Sequence, residues 1–438
     1  MTDTTSPPPA TGHEPLIVPL RALIVRPELA DRVISGPYDA YTASERQAIA
    51  RREPLSFLNV TRSPDDVDPA ATASGEADTD ELVGGAQAAL ARLLAAGAYD
   101  QQQESALYLY RLQYDAHSQI GVAGLVPVDA FSDARIRHHE AIRPERAELL
   151  ARHLLATGAT SSPIALSYRA DAVVDELVAA AATDAPIVDH EQDGVTQHVW
   201  ALRGAAAGEL TAAIGDRPLY ITDGHHRAAA AIQARELVRR GEPSAGPSQV
   251  SALDRAFAVL FPDDQLRVLA FHRLVRDSQR RAADVLADDM ARQGLAVRQD
   301  RSRVEAAAPG PGEVGVYCRG HWFMVELAAG ASDRALDALD VERLERQVLE
   351  PVFEADPTDL SAVEYLPAVS GVDRFTERCD AADLVGLTMH RTTTAELFAV
   401  ADQGDLMPPK SSYFAPKPRS GVFLRSLGTG PMAPYGAS

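Results

Sequence analysis

The stretch YITDGHHRAAAA at residues 220–231 places an acid, a glycine, two imidazoles and a guanidinium in five consecutive positions, 223–227. An apolar strand pattern precedes these positions and an alanine-rich pattern with high helix propensity follows them. We therefore expect them at a turn where a strand becomes a helix. The first N–H groups of a helix lack partners within it and lie at its positive end, so this turn is predicted to bind an anion such as phosphate.

Each residue type in the turn suits a part of that chemistry. Gly224 lets the backbone approach a phosphate closely, and Arg227 offers a paired donor to phosphate oxygens. His225 and His226 can donate hydrogen bonds or move a proton. Asp223 has three open interpretations, as a ligand of Mg²⁺, as a base for a substrate hydroxyl, or as a cap of the helix. The alternative without function is an ordinary Asp-Gly turn with two exposed histidines.

Three further segments carry chemically useful side chains. RHHEAIRPER at 137–146 approaches a helix predicted to begin at Pro144 and end at Gly158, and a solvated helix start explains most of its charges. GPYD at 36–39 is either a plain turn or a substrate loop. MPPKSSYFAPKPRSG at 407–421 forms a local basic patch in an acidic protein, which suggests capture of an anion.

Composition narrows the function classes. The 438 residues are 46% hydrophobic, and 42 Lys plus Arg against 62 Asp plus Glu give a formal charge of −20, which disfavours nucleic acid as a partner. No stretch is apolar enough for a membrane helix, and the start lacks signal-peptide features, so we expect a cytoplasmic protein without membrane contact. We interpret Cys318 and Cys379 as buried thiols. GPGEVG at 310–315 is interpreted as a surface turn because it leads into a strand, and no P-loop is present.

The pattern along the chain predicts an α/β fold, of mixed α+β character, with two domains. Strands alternate with helices from residue 15 to 275, and a smaller α+β domain follows at 276–425. Residues 1–14 and 426–438 are expected to be tails. LIVPLRALIV at 16–25 is interpreted as one buried strand, and Thr42 or Ser44 as the cap of a helix.

The motif at 223–227 resembles the DGHHR signature of the DUF1015 family. The resemblance continues through PLRALIVRPELADRVISGPYDAY, PLSFLNVTR, RHHEAIRPER, RAFAVLFPDDQLRVL and MPPKSSYFAPKPRSG, and covers roughly residues 15–425 in order. The family is related to the ParB/sulfiredoxin-like fold, whose members include free L-serine kinases that use ATP or ADP. The resemblance thus implies a nucleotide site and a small-molecule kinase. One position departs from the pattern, since Ile142 stands where the family has Thr.

Combining this resemblance with the chemistry of the residues, we predict a kinase for the hydroxyl of a free amino acid, L-serine first, with ATP or ADP and Mg²⁺ as cofactors. The alternative is a nucleotide-gated binding protein of the ParB type. A sulfiredoxin-like repair enzyme would need a reactive cysteine near the turn, and the sequence places none there. The oligomeric state is left open.

The predicted site residues fall into four groups. The catalytic candidates are Glu28, Asp223 and His226. The candidates for nucleotide and phosphate binding are Gly224, His225, His226, Arg227, Lys410 and Ser411. The candidates for substrate binding are Arg21, Tyr38, Asp39, His139, Arg143 and Arg419. The candidates for Mg²⁺ are Asp223 and Glu140.

Overall fold

The computed structural model describes residues 14–61, 79–241, 247–299, 301–330, 332–359 and 361–428. The predicted tails at 1–14 and 426–438 lie almost entirely outside these residues. The strands are β1 (Leu23–Val25), β2 (Tyr99–Gln101), β3 (Leu107–Tyr114), β4 (His117–Pro127), β5 (Ile136–Arg137), β6 (Ala159–Thr160), β7 (Ile164–Tyr168), β8 (Val188–Gln192), β9 (Val195–Leu202), β10 (Leu219–Asp223), β11 (Arg255–Pro262), β12 (Val268–Leu269), β13 (Phe271–Val275), β14 (Ala296–Arg298), β15 (Glu313–Cys318), β16 (His321–Glu326), β17 (Val363–Pro367), β18 (Val385–Met389), β19 (Tyr413–Phe414) and β20 (Phe423–Ser426).

Helices lie between these strands throughout the described residues. They are α1 (Ala30–Val33), α2 (Ala43–Arg52), α3 (Thr79–Ala95), α4 (Pro144–Thr157), α5 (Ala172–Ala181), α6 (Gly204–Ile214), α7 (His225–Arg239), α8 (Pro247–Ala252), α9 (Ala283–Arg292), α10 (Arg303–Ala307), α11 (Asp340–Leu344), α12 (Glu350–Phe353), α13 (Val372–Ala382) and α14 (Thr394–Asp402). The chain is thus a mixed α/β protein, as predicted. Within the ranges described above, no helix has the length and apolar character needed to cross a membrane.

Short-range sequence signals correctly predicted the start of α2 and both ends of α4. Thr42 and Glu45 form a reciprocal capping box at the start of α2. Pro144 occupies the first turn of α4, and Gly158 ends it in the left-handed conformation with φ 61°. Each of these signals acts between residues only a few positions apart, which explains why the sequence predicts them.

The larger sheet has eight strands in the order β5-β10-β7-β11-β4-β3-β9-β8. Both faces are covered, because alternate residues of β3 enter different cores: Tyr108 and Tyr110 pack in one, and Leu107 and Leu109 in the other. Strand β10 pairs antiparallel with β7, so Asp223 lies opposite Ala165 at the start of β7. The carboxyl end of β10 therefore lies beside the loop that precedes β7.

A second sheet has six strands in the order β14-β16-β15-β18-β13-β17, and all of its pairings are antiparallel. Its membership differs from the predicted boundaries at two points. Strand β13 at 271–275 belongs to this sheet, although it was expected in the first domain. Strand β20 at 423–426 was expected in or after the second domain but pairs with β1. The division into two domains itself remains a prediction.

Residues 16–25 do not form the single strand that was predicted. Val18 and Leu20 make isolated bridges to Leu125 and Ala106, and only Leu23–Val25 forms a regular strand, in a separate sheet with β2 and β20. Pro19 has no N–H to donate to a ladder, and this breaks the continuous pairing. The segment thus contacts two sheets instead of extending one.

Helix α7 lies close to α4. Ala230 and Ala234 of α7 and Ala151 of α4 are buried in one shared cluster. Small side chains let two helix backbones approach each other, and so the alanine-rich run after residue 227 serves packing as well as helix propensity. This contact brings the beginning of α4, with Arg143 before it, near the beginning of α7.

Candidate functional site

The residues at 223–227 form the predicted connection between a strand and a helix. Strand β10 ends at Asp223, Gly224 is the N-cap with φ 98° and ψ 31°, and α7 begins at His225. The N-cap is Gly224, and among the described residues no side chain accepts a hydrogen bond from the first N–H groups of this 15-residue helix. The structure therefore does not support the interpretation of Asp223 as a cap.

The carboxylate of Asp223 is instead held between two cations. Lys417 Nζ lies 2.9 Å from Oδ1, and Arg227 Nη2 donates to Oδ2 at 2.5 Å. Burial alone would raise the pKa of Asp223, but the charges of Lys417 and Arg227 hold this pKa well below its usual range. Because one negative charge faces two positive charges, the group carries a net positive charge at the positive end of α7.

Gly224 is required by the position of the Arg227 guanidinium. A Cβ at residue 224 would lie 2.7 Å from both Nε and Nη2 of Arg227. The positive φ adds a second reason, since side chains disfavour that conformation. Nε of Arg227 is buried and has no hydrogen-bond partner among the described residues, which is uncommon for a buried donor.

Two buried histidines pack against each other at the turn. His225 is 3% exposed, and its Nδ1 lies 3.3 Å from Glu140 Oε2. The fully buried ring of His139 packs edge to face on His225, with centroids 4.6 Å apart. Burial lowers the pKa of each histidine to about 3, so both are neutral at physiological pH. Within the described residues, Nε2 of His225 and both ring nitrogens of His139 lack hydrogen-bond partners.

His226 lies on the more open side of the turn, among cations. Its Nε2 accepts a hydrogen bond from the backbone N–H of Arg143 at 3.1 Å, which places the proton of the neutral ring on Nδ1. Burial, followed by the charges of Arg146, Arg143, Lys410 and Arg227, lowers the pKa of His226 to about 4. The surroundings of His226 are thus strongly positive and favour an anion.

Lys417 reaches the turn from the far end of the chain. The carbonyl of Pro416 accepts a hydrogen bond from Gln119 Nε2 at 3.2 Å, and the N–H of Arg419 donates to the Tyr110 hydroxyl at 3.2 Å. Two residues later, the N–H of Gly421 donates to Ser161 Oγ at 2.6 Å. These contacts fix the backbone on both sides of Lys417 against the larger sheet.

Three predicted residues of the C-terminal segment have other contacts. Lys410 is exposed, with Nζ 5.4 Å from the ring centroid of Phe271. Ser411 donates its hydroxyl proton to the Pro408 carbonyl at 2.7 Å, which leaves that hydroxyl poorly suited to an anion. Arg419 is buried, and its guanidinium binds Asp193 and the Gln192 carbonyl, at the β8–β9 turn.

The remaining predicted residues are Glu28, Arg21, Tyr38 and Asp39. Glu28 and Arg21 are exposed and, among the described residues, make no hydrogen bond or ion pair with the turn. Tyr38 stacks under the Arg46 guanidinium at 3.8 Å from its ring centroid. Asp39 lies in the same short 3-10 turn, Tyr38–Ala40. Their predicted roles stay predictions.

Sequence reasoning missed the contact of Lys417 with Asp223, although a signal was available. Lys417 and Lys410 are the only two lysines in the sequence, and both lie in the basic C-terminal segment. The prediction selected Lys410. Nothing in the sequence indicates which of the two reaches a residue almost 200 positions earlier, because that depends on the path of the chain.

The predicted Mg²⁺ ligands do not form a fitting metal site. Both oxygens of Asp223 bind cations, and Glu140 faces His225. In the described part of the chain, no group of three or more His, Cys, Asp or Glu side chains is arranged to hold a metal ion. We therefore assign no step of a reaction to a resident metal.

Solved structures and family models provide comparisons. A free serine kinase variant in complex with AMP is 13% identical, with a TM-score of 0.35, covering 70% of this chain and 92% of its own. A conserved hypothetical protein from Pyrococcus furiosus is 13% identical, with a TM-score of 0.34, covering 70% and 95%. SbnI with a C-terminal truncation, from Staphylococcus aureus, is 13% identical, with a TM-score of 0.34, covering 68% and 85%. No curated protein matches the sequence.

A family model also matches the sequence. The model described as "Protein of unknown function (DUF1015)" matches residues 17–342, which is more than half of the sequence and includes the whole strand-turn-helix at 219–239. The chain therefore belongs to the DUF1015 family.

Proposed function

We propose that this protein is a small-molecule kinase that transfers a phosphoryl group from ATP or ADP to the hydroxyl of a free amino acid, with L-serine as the first candidate. The observation that carries the proposal is the uncapped beginning of α7, where Arg227 and Lys417 flank Asp223. Phosphoryl transfer depends mainly on positioning phosphates and stabilising their charge, and this arrangement supplies both.

The phosphate end of the nucleotide binds at the turn. The first N–H groups of α7, the glycine at 224 and the Nε of Arg227, which has no hydrogen-bond partner in the described part of the chain, all belong to this turn. A buried donor without a partner costs free energy, and a phosphate oxygen accepting from it removes that cost. His226 adds a donor at Nδ1, since its Nε2 accepts from the backbone.

The acceptor amino acid binds beside the phosphates. Its carboxylate needs a cation, and Arg143 or Lys410 is better suited than Arg419, whose guanidinium already binds Asp193. Of the two predicted bases, Glu28 is favoured over Asp223. A carboxylate whose two oxygens both hold cations has little affinity for a proton, whereas the Glu28 carboxylate is exposed and has no partner among the described residues.

A direct assay tests the proposal. The purified protein is incubated with ATP or ADP, Mg²⁺ and a panel of hydroxyl-bearing amino acids, and ³¹P NMR follows the phosphorus resonances. We expect a new phosphomonoester resonance with L-serine, and its loss in Glu28→Gln. Tight nucleotide binding with no transfer to any amino acid would refute the kinase and favour the nucleotide-gated binding protein.

A further inference from the structure

We propose that Lys417 is a direct phosphate ligand of this site and that Asp223 is the positioning residue that holds Lys417 and Arg227 side by side. This inference rests on the proposed function, because it names a further residue of the same nucleotide site. It adds a ligand from a segment that lies beyond residue 342, where the family match ends.

The first argument is the placement of the ammonium group. The side chain of Lys417 is 12% exposed, and its Nζ lies 2.9 Å from Asp223 Oδ1. An ammonium has three donors, and besides its contact with Asp223 the Nζ of Lys417 lies 5.2 Å from the ring centroid of Tyr413. The Asp223 carboxylate bridges Lys417 and Arg227 through its two oxygens, so a single carboxylate group separates the two cations.

The second argument is charge. The partly buried side chains of Lys417, Arg227 and Asp223 together carry one positive charge, which water screens less than it would at a fully exposed site. The beginning of α7 adds further positive potential to the same place. A phosphoryl group supplies the missing negative charge, and its oxygens accept from ammonium and guanidinium donors simultaneously.

The third argument is rigidity. Gln119 and Tyr110 hold the backbone on both sides of Lys417, and Ser161 holds Gly421. All three residues belong to the larger sheet or to the loop before β7, beside Asp223. A ligand that must be positioned accurately is expected on such a fixed segment, whereas Lys410 projects to the surface near Phe271.

The test compares nucleotide affinity by calorimetry in variants of the full chain. Lys417→Gln is expected to weaken ADP binding at least tenfold, because a charge-assisted hydrogen bond is lost. Lys417→Arg keeps the charge and is expected to retain most of the affinity. The matched control is Arg240→Gln, which removes one positive charge from the far end of α7, about 20 Å away, where Arg240 is 73% exposed. That control is expected to bind as the unmodified protein does.

A second measurement separates direct contact from an effect on folding. A lysine-acylating reagent followed by mass spectrometry reports on Lys417 separately, since the sequence has only two lysines. We expect ADP and inorganic tripolyphosphate to protect Lys417 from acylation, and adenosine, which has no phosphate, to give no protection.

The outcomes distinguish the inference from the proposed function. If the unmodified protein binds neither ATP nor ADP, the proposed function and this inference both fail. If it binds ADP and transfers phosphate while Lys417→Gln binds equally well and ADP gives no protection, only the inference fails. If Lys417→Gln weakens binding but the unmodified protein transfers phosphate to no acceptor, the inference stands and the kinase fails.

Discussion

Replacement of Gly224 by alanine tests the geometry of the turn most sharply. The added Cβ would lie 2.7 Å from Nε and Nη2 of Arg227, and φ at this position is +98°. The guanidinium is the far end of a flexible side chain, and so it is expected to move while the backbone stays in place. That movement takes Arg227 away from the position in which it binds phosphate in our proposal.

Two separate magnitudes follow. Placing alanine in a left-handed conformation costs about 1–2 kcal/mol of folding stability. Losing the charge-assisted hydrogen bond of Arg227 to a phosphate costs roughly 1.5–3 kcal/mol of binding free energy, or about 10- to 150-fold in nucleotide affinity. The expected change is therefore modest in stability and large in binding.

Gly294→Ala provides the matched control. Gly294 has φ +90°, and a Cβ there would meet nothing within 4 Å among the described residues. Both variants are expected to lower the urea midpoint of unfolding by similar amounts, since both carry the same backbone cost. Only Gly224→Ala is expected to weaken ADP binding by calorimetry. If Gly224→Ala remains folded and binds ADP as Gly294→Ala does, the reasoning about Arg227 is refuted.

Three further predictions follow from the same cluster. Arg227→Ala is expected to lose about 2 kcal/mol or more of ADP binding free energy by calorimetry, and unchanged affinity in a folded variant would exclude a phosphate role. Burial lowers the pKa of His139 from about 6.5 in the unfolded chain to about 3, so the free energy of unfolding falls by up to about 1.4 kcal/mol per pH unit as the pH drops through this window. Urea titrations at several pH values should show a smaller fall in the free energy of unfolding for His139→Phe. The pKa of Asp223 is lowered on folding, so the stability that its ionised form provides is present above about pH 4 and is lost at lower pH. Acid unfolding followed by circular dichroism should therefore begin at a different pH in Asp223→Asn. Identical acid transitions in the two proteins would contradict the ion pairs with Lys417 and Arg227.

The sequence by itself determined the local structure of this protein. The capping box at Thr42 and Glu45, the limits of α4 and the strand-turn-helix at Asp223 were all predicted. In each case the interacting residues lie within a few positions of one another, and the relevant hydrogen bonds or backbone preferences act over that distance. The mixed α/β class was predicted for the same reason, since periodicity reports local burial.

Only the tertiary structure decided which distant residues complete the site. Lys417 and the adjacent residues His139 and Glu140 reach the turn from two different parts of the chain, and β20 returns from the C-terminal region to pair with β1. The sequence showed that Asp223 carries a charge, but its partner depends on strand order and on the path of the last segment. Whether Asp223 binds Mg²⁺, acts as a base or caps the helix was therefore open in the sequence. Only long-range packing brings Lys417 to one oxygen of this carboxylate while Arg227 donates to the other.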